Sequence, residues 1–99
     1  MVKRKLIWSH IAKLKLFELL EYFNGRNNST KYSQKLYTKI VREVSVLTKH
    51  PEIGIKTDVD DVRCLIIDNY MIFYEKNETF IIIHTIWDTR QNPENLKIK

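Results

Sequence analysis

The spacing of apolar residues changes near the middle of this 99-residue chain, and that change limits the fold more than any other feature. Between residues 9 and 49, apolar side chains recur at intervals of three and four, which is the period of an α-helix. From residue 62 onward they form short runs that are rich in β-branched residues and separated by Asn-containing turns, which is typical of β-strands. The sequence therefore predicts helices followed by a sheet.

The helical part predicts two helices joined by a turn. Ser9 can supply an N-cap oxygen to a first, amphipathic helix that continues to residue 23. The Asn-rich stretch 24–30 predicts the turn, and a second helix follows over residues 31–49 until the Pro-x-x-Gly motif at 51–54 ends it. Such a short connection predicts an antiparallel helical hairpin. The apolar stripes are Ala12, Leu16, Leu19, Leu20 and Phe23 in the first helix and Tyr32, Leu36, Ile40, Val44 and Leu47 in the second.

Four segments have the composition of strands. One precedes the helices, at residues 3–8, and three follow them, at residues 62–68, 70–76 and 79–87. Because the last three are joined by very short turns, they predict an antiparallel meander. The expected fold class is α+β: strand, helix, helix and a three-strand antiparallel meander, with the helical hairpin packed on one face of a small sheet. The length predicts a single domain over residues 1–99.

The charge and the single cysteine restrict the partners and the compartment. Seventeen Lys and Arg against twelve Asp and Glu give a net charge of +5, which favours acidic partners such as nucleic acid, although a merely basic soluble domain fits equally well. One cysteine, Cys64, cannot form an intramolecular disulfide, which fits a reducing cytosol. Lysines interrupt the apolar residues after the basic start, and no run is long enough to span a membrane. A cytoplasmic protein without membrane contact is expected.

Metal and cofactor sites have no sequence signature. His10, His50 and His84 are scattered without HxxxH or CxxC spacing. Two isolated glycines form neither a P-loop nor a dinucleotide-binding loop. No metal and no cofactor are therefore expected.

Three cations around the meander are candidates for an anion site. Lys56 precedes the meander, Arg63 lies near the start of its first strand, and Arg90 follows its last strand. The two ends are far apart unless the tail curls back or the strands are strongly staggered. Strand alternation places Arg63 opposite Cys64, so Arg63 projects away from the helices if these cover the Cys64 face. The alternative is that all three are solvated surface charges.

Two tyrosines of the middle strand could serve as a binding surface. Tyr70 and Tyr74 share one face, and tyrosines beside basic residues can stack on nucleic-acid bases. A half-buried packing role is the more frequent use of such residues.

The order of these elements and four local motifs together resemble the RelE/ParE toxin superfamily. The matching stretches are WSHIAKLKLFELLEYF, LTKHPEIGIK, VRCLIIDNYMIFYEKN and IIIHTIWDTRQNPENL, and they cover almost the whole chain. The resemblance implies a toxin of a bacterial type II toxin–antitoxin pair, and two activities occur in this superfamily. RelE-like members cleave messenger RNA on the ribosome, and ParE-like members poison DNA gyrase.

The resemblance also assigns roles to the cations. If the chain is a nuclease, Lys56, Arg63 and Arg90 resemble its catalytic residues, which act as base, acid or phosphate-binding charge. The tyrosine near the C-terminus of RelE-like members is missing, and Leu96 lies near its place. His84 is a candidate substitute within the last strand. The Arg-x-x-Pro-Glu-x-Leu tail looks more like the ParE-type ending.

The sequence thus predicts a growth-inhibitory toxin, and ParE-like inhibition of gyrase is the favoured activity. The alternatives are a RelE-like ribosome-dependent mRNA endonuclease and a non-toxic basic module that binds nucleic acid. The resemblance implies a cognate antitoxin as partner. The helix over residues 9–23 and the exposed sheet edges are the expected docking surfaces.

Overall fold

The computed structural model describes residues 4–96, in which five strands form one sheet and two helices pack on one of its faces. The predicted α+β class is confirmed. The elements, in chain order, are β1 (Lys5–Trp8), α1 (His10–Asn27), α2 (Lys31–Ser45), β2 (Ile55–Lys56), β3 (Val62–Ile67), β4 (Tyr70–Lys76) and β5 (Phe80–Asp88), with 3-10 turns at Val46–Thr48 and Pro93–Asn95.

The sheet is mixed, with the strand order β1-β5-β4-β3-β2. Strands β3, β4 and β5 form the predicted antiparallel meander, whereas β1 lies parallel to β5. The helical hairpin accounts for this arrangement, because it carries the chain from β1 at one edge to β2 at the other. The meander then returns strand by strand until β5 pairs with β1. The sheet is therefore not purely antiparallel.

The helix boundaries differ from the predicted ones at the two C-terminal ends. Ser9 is the predicted N-cap of α1, and its Oγ accepts from the backbone N–H of Ala12 at 3.0 Å. Helix α1 continues to Asn27, so the first half of the predicted turn 24–30 is helical. Asn28 ends the helix in the left-handed region, with φ of 50°. Helix α2 begins at Lys31 as predicted but ends at Ser45, where a 3-10 turn replaces its last residues.

The apolar core has two parts, one on each face of the sheet. The larger part lies under the helices and includes Tyr70, Ile72 and Tyr74 of β4. The smaller part contains Cys64 and Phe73, and it is covered by apolar side chains from the loop before β3 and from the chain after β5. The helices thus cover the Leu65 and Ile67 face rather than the Cys64 face, and Arg63 lies on the helix side. Burial raises the pKa of the Cys64 thiol to about 11.

Helix α1 is apolar on both faces, so the prediction of a simple amphipathic helix is incomplete. Ala12 and Phe23 are buried against the sheet, and Leu16, Leu19 and Leu20 pack beside them as predicted. On the opposite face, Ile11, Leu14 and Phe17 remain 51%, 46% and 60% exposed. Their spacing of three residues places them side by side, which forms an apolar row facing solvent.

A buried tyrosine fixes the turn between the helices and β2. The hydroxyl of Tyr74 donates to the carbonyl oxygen of Pro51 at 2.7 Å and accepts from the backbone N–H of Gly54 at 2.9 Å. A Cβ at Gly54 would overlap the ring and hydroxyl of Tyr74, so glycine is required by this close approach. The guanidinium of Arg63 also donates to the Gly54 carbonyl at 2.8 Å. These bonds hold the turn against the sheet, and β2 follows directly.

We expect Tyr74→Phe to lower the free energy of unfolding by about 1–3 kcal/mol. The change leaves a buried N–H and a buried carbonyl in the turn without their hydrogen-bond partner. Urea unfolding of the purified variant measures the effect. Tyr37→Phe is the matched control because Tyr37 is 47% exposed, and its effect should stay within about 0.5 kcal/mol. Equal stability of the two variants would contradict the tethering role of the Tyr74 hydroxyl.

Candidate functional site

The first cationic region lies at the β2 edge of the sheet. Lys56 is paired with Arg63, and Arg63 is paired with Tyr74, across three neighbouring strands. Because cross-strand partners project from the same face, both cations lie on the helix side. They line a shallow cleft together with Lys76 and the acidic residues Asp60 and Asp61. We call this group the β2-edge region.

The cations of the β2-edge region have different environments. Arg63 is partly buried and donates to two backbone oxygens of the preceding turn, those of Glu52 at 3.3 Å and Gly54 at 2.8 Å. Lys76 pairs with the Glu52 carboxylate at 3.1 Å, and this hydrogen bond lowers the pKa of Glu52. Lys56 is exposed. Arg63 therefore has a structural role in the turn, and Lys56 has the most accessible charge of the three.

The second cationic region is centred on Arg90, which Asp88 holds in a fixed orientation. The guanidinium donates to both carboxylate oxygens, from Nε at 2.9 Å and from Nη2 at 2.7 Å. The backbone N–H of Arg90 also donates to Asp88 at 2.9 Å. This hydrogen bonding lowers the pKa of Asp88 and raises that of Arg90. The pair is bidentate, so it fixes the direction of the guanidinium as well as its position.

A cleft of about 490 Å³ surrounds this pair, between α1 and the ends of β4 and β5. Tyr22 and Lys15 of α1 form one side, and Tyr70 and Ile86 form the other. Burial raises the pKa of Tyr70, whose hydroxyl lies against Arg90. The cleft combines one arginine, two tyrosines and aliphatic side chains, and we call it the Arg90 cleft.

The two regions lie at opposite ends of the sheet. Arg63 is aligned with Tyr74, whereas Asp88, the partner of Arg90, is aligned with Tyr70. These two positions of β4 are four residues apart, which corresponds to about 13 Å along the strand. The chain after β5 folds onto the face opposite the helices, where Leu96 packs on the smaller part of the core. The structure therefore brings Lys56 and Arg63 together and leaves Arg90 elsewhere.

Of the other candidate residues, Tyr70 lines the Arg90 cleft and Tyr74 is the cross-strand partner of Arg63. Tyr70 and Tyr74 are 2% and 0% exposed, and this burial favours the packing role over stacking on bases. His84 lies where the pairing of β4 and β5 shifts register, since Phe73 faces Thr85 and Tyr74 faces Ile83. Its Nε2 atom is 3.0 Å from a carboxylate oxygen of Glu75. His84 is therefore in neither cationic region.

Within residues 4–96, no group of three or more His, Cys, Asp or Glu side chains is arranged to hold a metal ion. None of the described helices is both long and apolar enough to cross a membrane.

Comparison with known proteins identifies the family. A family model described as the ParE toxin of the type II toxin–antitoxin system parDE matches residues 6–93, which is most of the chain. The chain belongs to the ParE toxin family. Its fold is similar to that of a chain from the chromosomal ParDE toxin–antitoxin system of P. aeruginosa, with a TM-score of 0.79 and 18% sequence identity. That match covers 91% of this chain and 100% of the other. A search of curated proteins gave no significant match.

Sequence reasoning identified Tyr70 but not the other side chains that surround Arg90 in this ParE-family chain. Asp88 has a local signal in the sequence, because a carboxylate two residues before an arginine at a strand end can pair with it. Lys15 and Tyr22 come from α1, and no local pattern places them beside Arg90. Only the packing of α1 across β5 brings them there.

The Asp88–Arg90 pair predicts a pH-dependent contribution to stability. Arg90 lowers the pKa of folded Asp88 below its ordinary value of 3.8, so the ionised carboxylate stabilises the folded state above about pH 4. That contribution is lost as the pH falls through the folded pKa. Asp88→Asn should therefore be less stable than the wild type at about pH 7, with a small difference because Arg90 is half exposed, and this difference should shrink as the pH is lowered to about 2. Urea unfolding at both pH values measures this, and a difference independent of pH would contradict the pair's role.

Proposed function

We propose that this chain, which its membership of the ParE family makes the toxin component of a type II toxin–antitoxin system, arrests growth by binding DNA gyrase in the cytoplasm and does not cleave RNA. The separation of its candidate catalytic cations supports this proposal most directly. Lys56 and Arg63 lie at one end of the sheet and Arg90 at the other.

RNA cleavage requires several groups around one phosphate. A base must reach the 2′-hydroxyl, an acid must reach the leaving oxygen, and each must lie within hydrogen-bond distance of its target. The strand positions of Arg63 and of Asp88, the partner of Arg90, are about 13 Å apart along β4, and the backbone of the turn holds the Arg63 guanidinium, which disfavours joint action on one phosphate. The residue near the place of the missing tyrosine, Leu96, packs against the core. Both observations favour a toxin that inhibits by binding.

The Arg90 cleft has the chemistry of a protein-binding site. Arginine and tyrosine are the residues that most often dominate the binding energy of protein interfaces, especially beside partly buried aliphatic side chains. Arg90 is already oriented by Asp88, so little side-chain entropy is lost when a partner binds. Tyr22 is 58% exposed at the rim of the cleft and is available to the same partner. We place the gyrase contact here.

We expect the purified protein to inhibit supercoiling by gyrase, and Arg90→Ala to raise the concentration needed for half inhibition by about tenfold or more. A central arginine of an interface contributes roughly 1–2 kcal/mol or more, and about 1.4 kcal/mol corresponds to tenfold. An assay with relaxed plasmid and purified gyrase measures both.

Arg26→Ala is the matched control for this experiment. Arg26 is exposed in the last turn of α1, away from the Arg90 cleft, and its removal should leave inhibition unchanged. Circular dichroism confirms that each variant is folded. Undisturbed supercoiling at excess wild-type protein would refute the gyrase proposal, and equal inhibition by Arg90→Ala would refute the placement of the contact.

One observation favours the alternative of a ribosome-dependent nuclease. Lys56 and Arg63 are paired across β2 and β3, and Lys76 lines the same cleft, so three cations are present near one point. This arrangement suits a single phosphate. Asp60 and Asp61 share the cleft and offset that charge, and Arg63 is engaged with the backbone of the turn. The β2-edge region therefore supports cleavage less well than the Arg90 cleft supports binding.

The antitoxin partner has a suitable surface on α1. Ile11, Leu14 and Phe17 form an exposed apolar row, which a helix of the partner can cover with its own apolar face. The sheet ends at β1 and β2, whose free edges can pair with an extended segment. A net charge of +5 favours an acidic partner. We propose that the antitoxin binds the row with a helix and one sheet edge with an extended stretch.

Phe17→Ser should weaken antitoxin binding by about tenfold or more, because it removes the largest and most exposed side chain of the apolar row. Calorimetric titration with the cognate antitoxin measures the affinity. Tyr37→Ser on α2 is the control, since Tyr37 is exposed to a similar degree but lies outside the row. Unchanged affinity of Phe17→Ser would exclude α1 as the docking helix.

A further inference from the structure

The solvent-facing side of α2 carries a row of cations that the proposed function does not use. Lys31, Lys35, Lys39 and Arg42 follow one another at intervals of four, four and three residues, so they lie along one side of the helix. The row is about 16 Å long at the rise of an α-helix. It contains no acidic residue, since none occurs between residues 31 and 42. We call it the α2 cation row.

The cation row lowers the stability of its own helix. Like charges four residues apart repel each other by a few tenths of a kcal/mol, which applies to Lys31 with Lys35 and to Lys35 with Lys39. The first turn of α2 has no acidic residue, and Lys31 begins the helix, where the helix dipole favours negative charge. A face selected only for solubility would alternate charges. The row is unfavourable both for the repulsion between like charges and for the helix dipole. An anionic partner explains such an arrangement.

Most of the row is available to such a partner. Lys31, Lys35 and Arg42 are exposed, and none of them forms a salt bridge with another residue of the described part of the chain. Lys39 is the exception, because its ammonium group pairs with Asp68 at 2.8 Å. The one acid of α2, Glu43, lies beyond the row and is partly buried. Three free cations therefore face solvent together.

The chemistry between the cations favours a nucleic acid over a protein. Gln34 and Thr38 lie between the lysines and line the same shallow surface. Amides and hydroxyls, with Lys and Arg, are the side chains that contact phosphate oxygens. A protein interface would need an apolar or aromatic centre, and none lies within the row. The exposed tyrosines of α2, Tyr32 and Tyr37, lie outside it, which disfavours single strands that bind by stacking.

We propose that the α2 cation row binds the phosphate backbone of duplex DNA. Binding of this kind does not depend on base sequence, because only the backbone is contacted. It goes beyond the gyrase proposal and does not rest on it, since the row and the Arg90 cleft involve different residues. If both hold, the toxin contacts the enzyme with one surface and the DNA with another.

Fluorescence anisotropy with a labelled random-sequence DNA duplex and the full chain tests the proposal. Binding should weaken with salt, because each phosphate contact releases counterions. The double variant K31Q/K35Q removes two contacts, so the slope of log K against log salt should decrease in magnitude by about 1.8. Its affinity at low salt should fall by about tenfold or more. K31R/K35R should bind like the wild type, because the charge is kept.

A control variant that loses the same number of positive charges tests whether the result is specific to the row. K5Q/K13Q removes two exposed lysines from β1 and α1, and it should retain the wild-type slope. The thermal midpoint of K31Q/K35Q should be equal to or slightly above that of the wild type, since repulsion is relieved. Absence of DNA binding, an equal loss with K5Q/K13Q, or an unchanged slope for K31Q/K35Q would each overturn the proposal. If K31Q/K35Q lost binding to a poly-glutamate peptide but kept its binding to DNA, the row would be assigned to an acidic protein instead.

Discussion

The buried hydroxyl of Tyr74 is the constraint from which the layout of this toxin follows. A tyrosine hydroxyl inside an apolar core must find hydrogen-bond partners, and here both belong to the backbone of the turn at 51–54. The turn is thereby fixed against β4, and Gly54 can lie on the ring because it has no side chain. Strand β2 begins at the next residue, so Lys56 comes to lie beside Arg63. One interaction joins the end of the helical hairpin to the edge of the sheet.

Much of the fold could be predicted because local periodicity determines it. The helical stripes and the three runs of the meander are strong signals, and Ser9 is the N-cap that its side chain suggests. Strand β2 was not predicted, because a strand of only two residues shows no alternation of apolar and polar residues in the sequence. The extension of α1 to Asn27 was missed because its Asn and Gly residues favour turns, while the bond between Ser33 and Asn24 holds the last turn of α1 to α2. The face that the helices cover could not be deduced, since both faces of β3 are apolar.

The candidate site was harder to predict because it depends on where separate elements meet. The resemblance identified Arg90 and Lys56 individually, and both are exposed. Whether such cations act together depends on strand register, and the register separates them. The companions of Arg90 on α1 have no local signature. The α2 cation row, in contrast, follows from the helical period alone, because its members recur at intervals of three and four residues.

The surfaces of this toxin therefore have distinct chemistry: an apolar row on α1, an arginine–tyrosine cleft beside it, and a cationic row on α2. All of them suit binding, and the strand register separates Lys56 and Arg63 from Arg90. Sequencing of RNA 5′ ends and of gyrase-linked DNA ends from the same growth-arrested culture tests this account most directly. It predicts DNA ends linked to gyrase and unchanged RNA 5′ ends. New RNA ends at fixed codon positions, without gyrase-linked DNA ends, would contradict it.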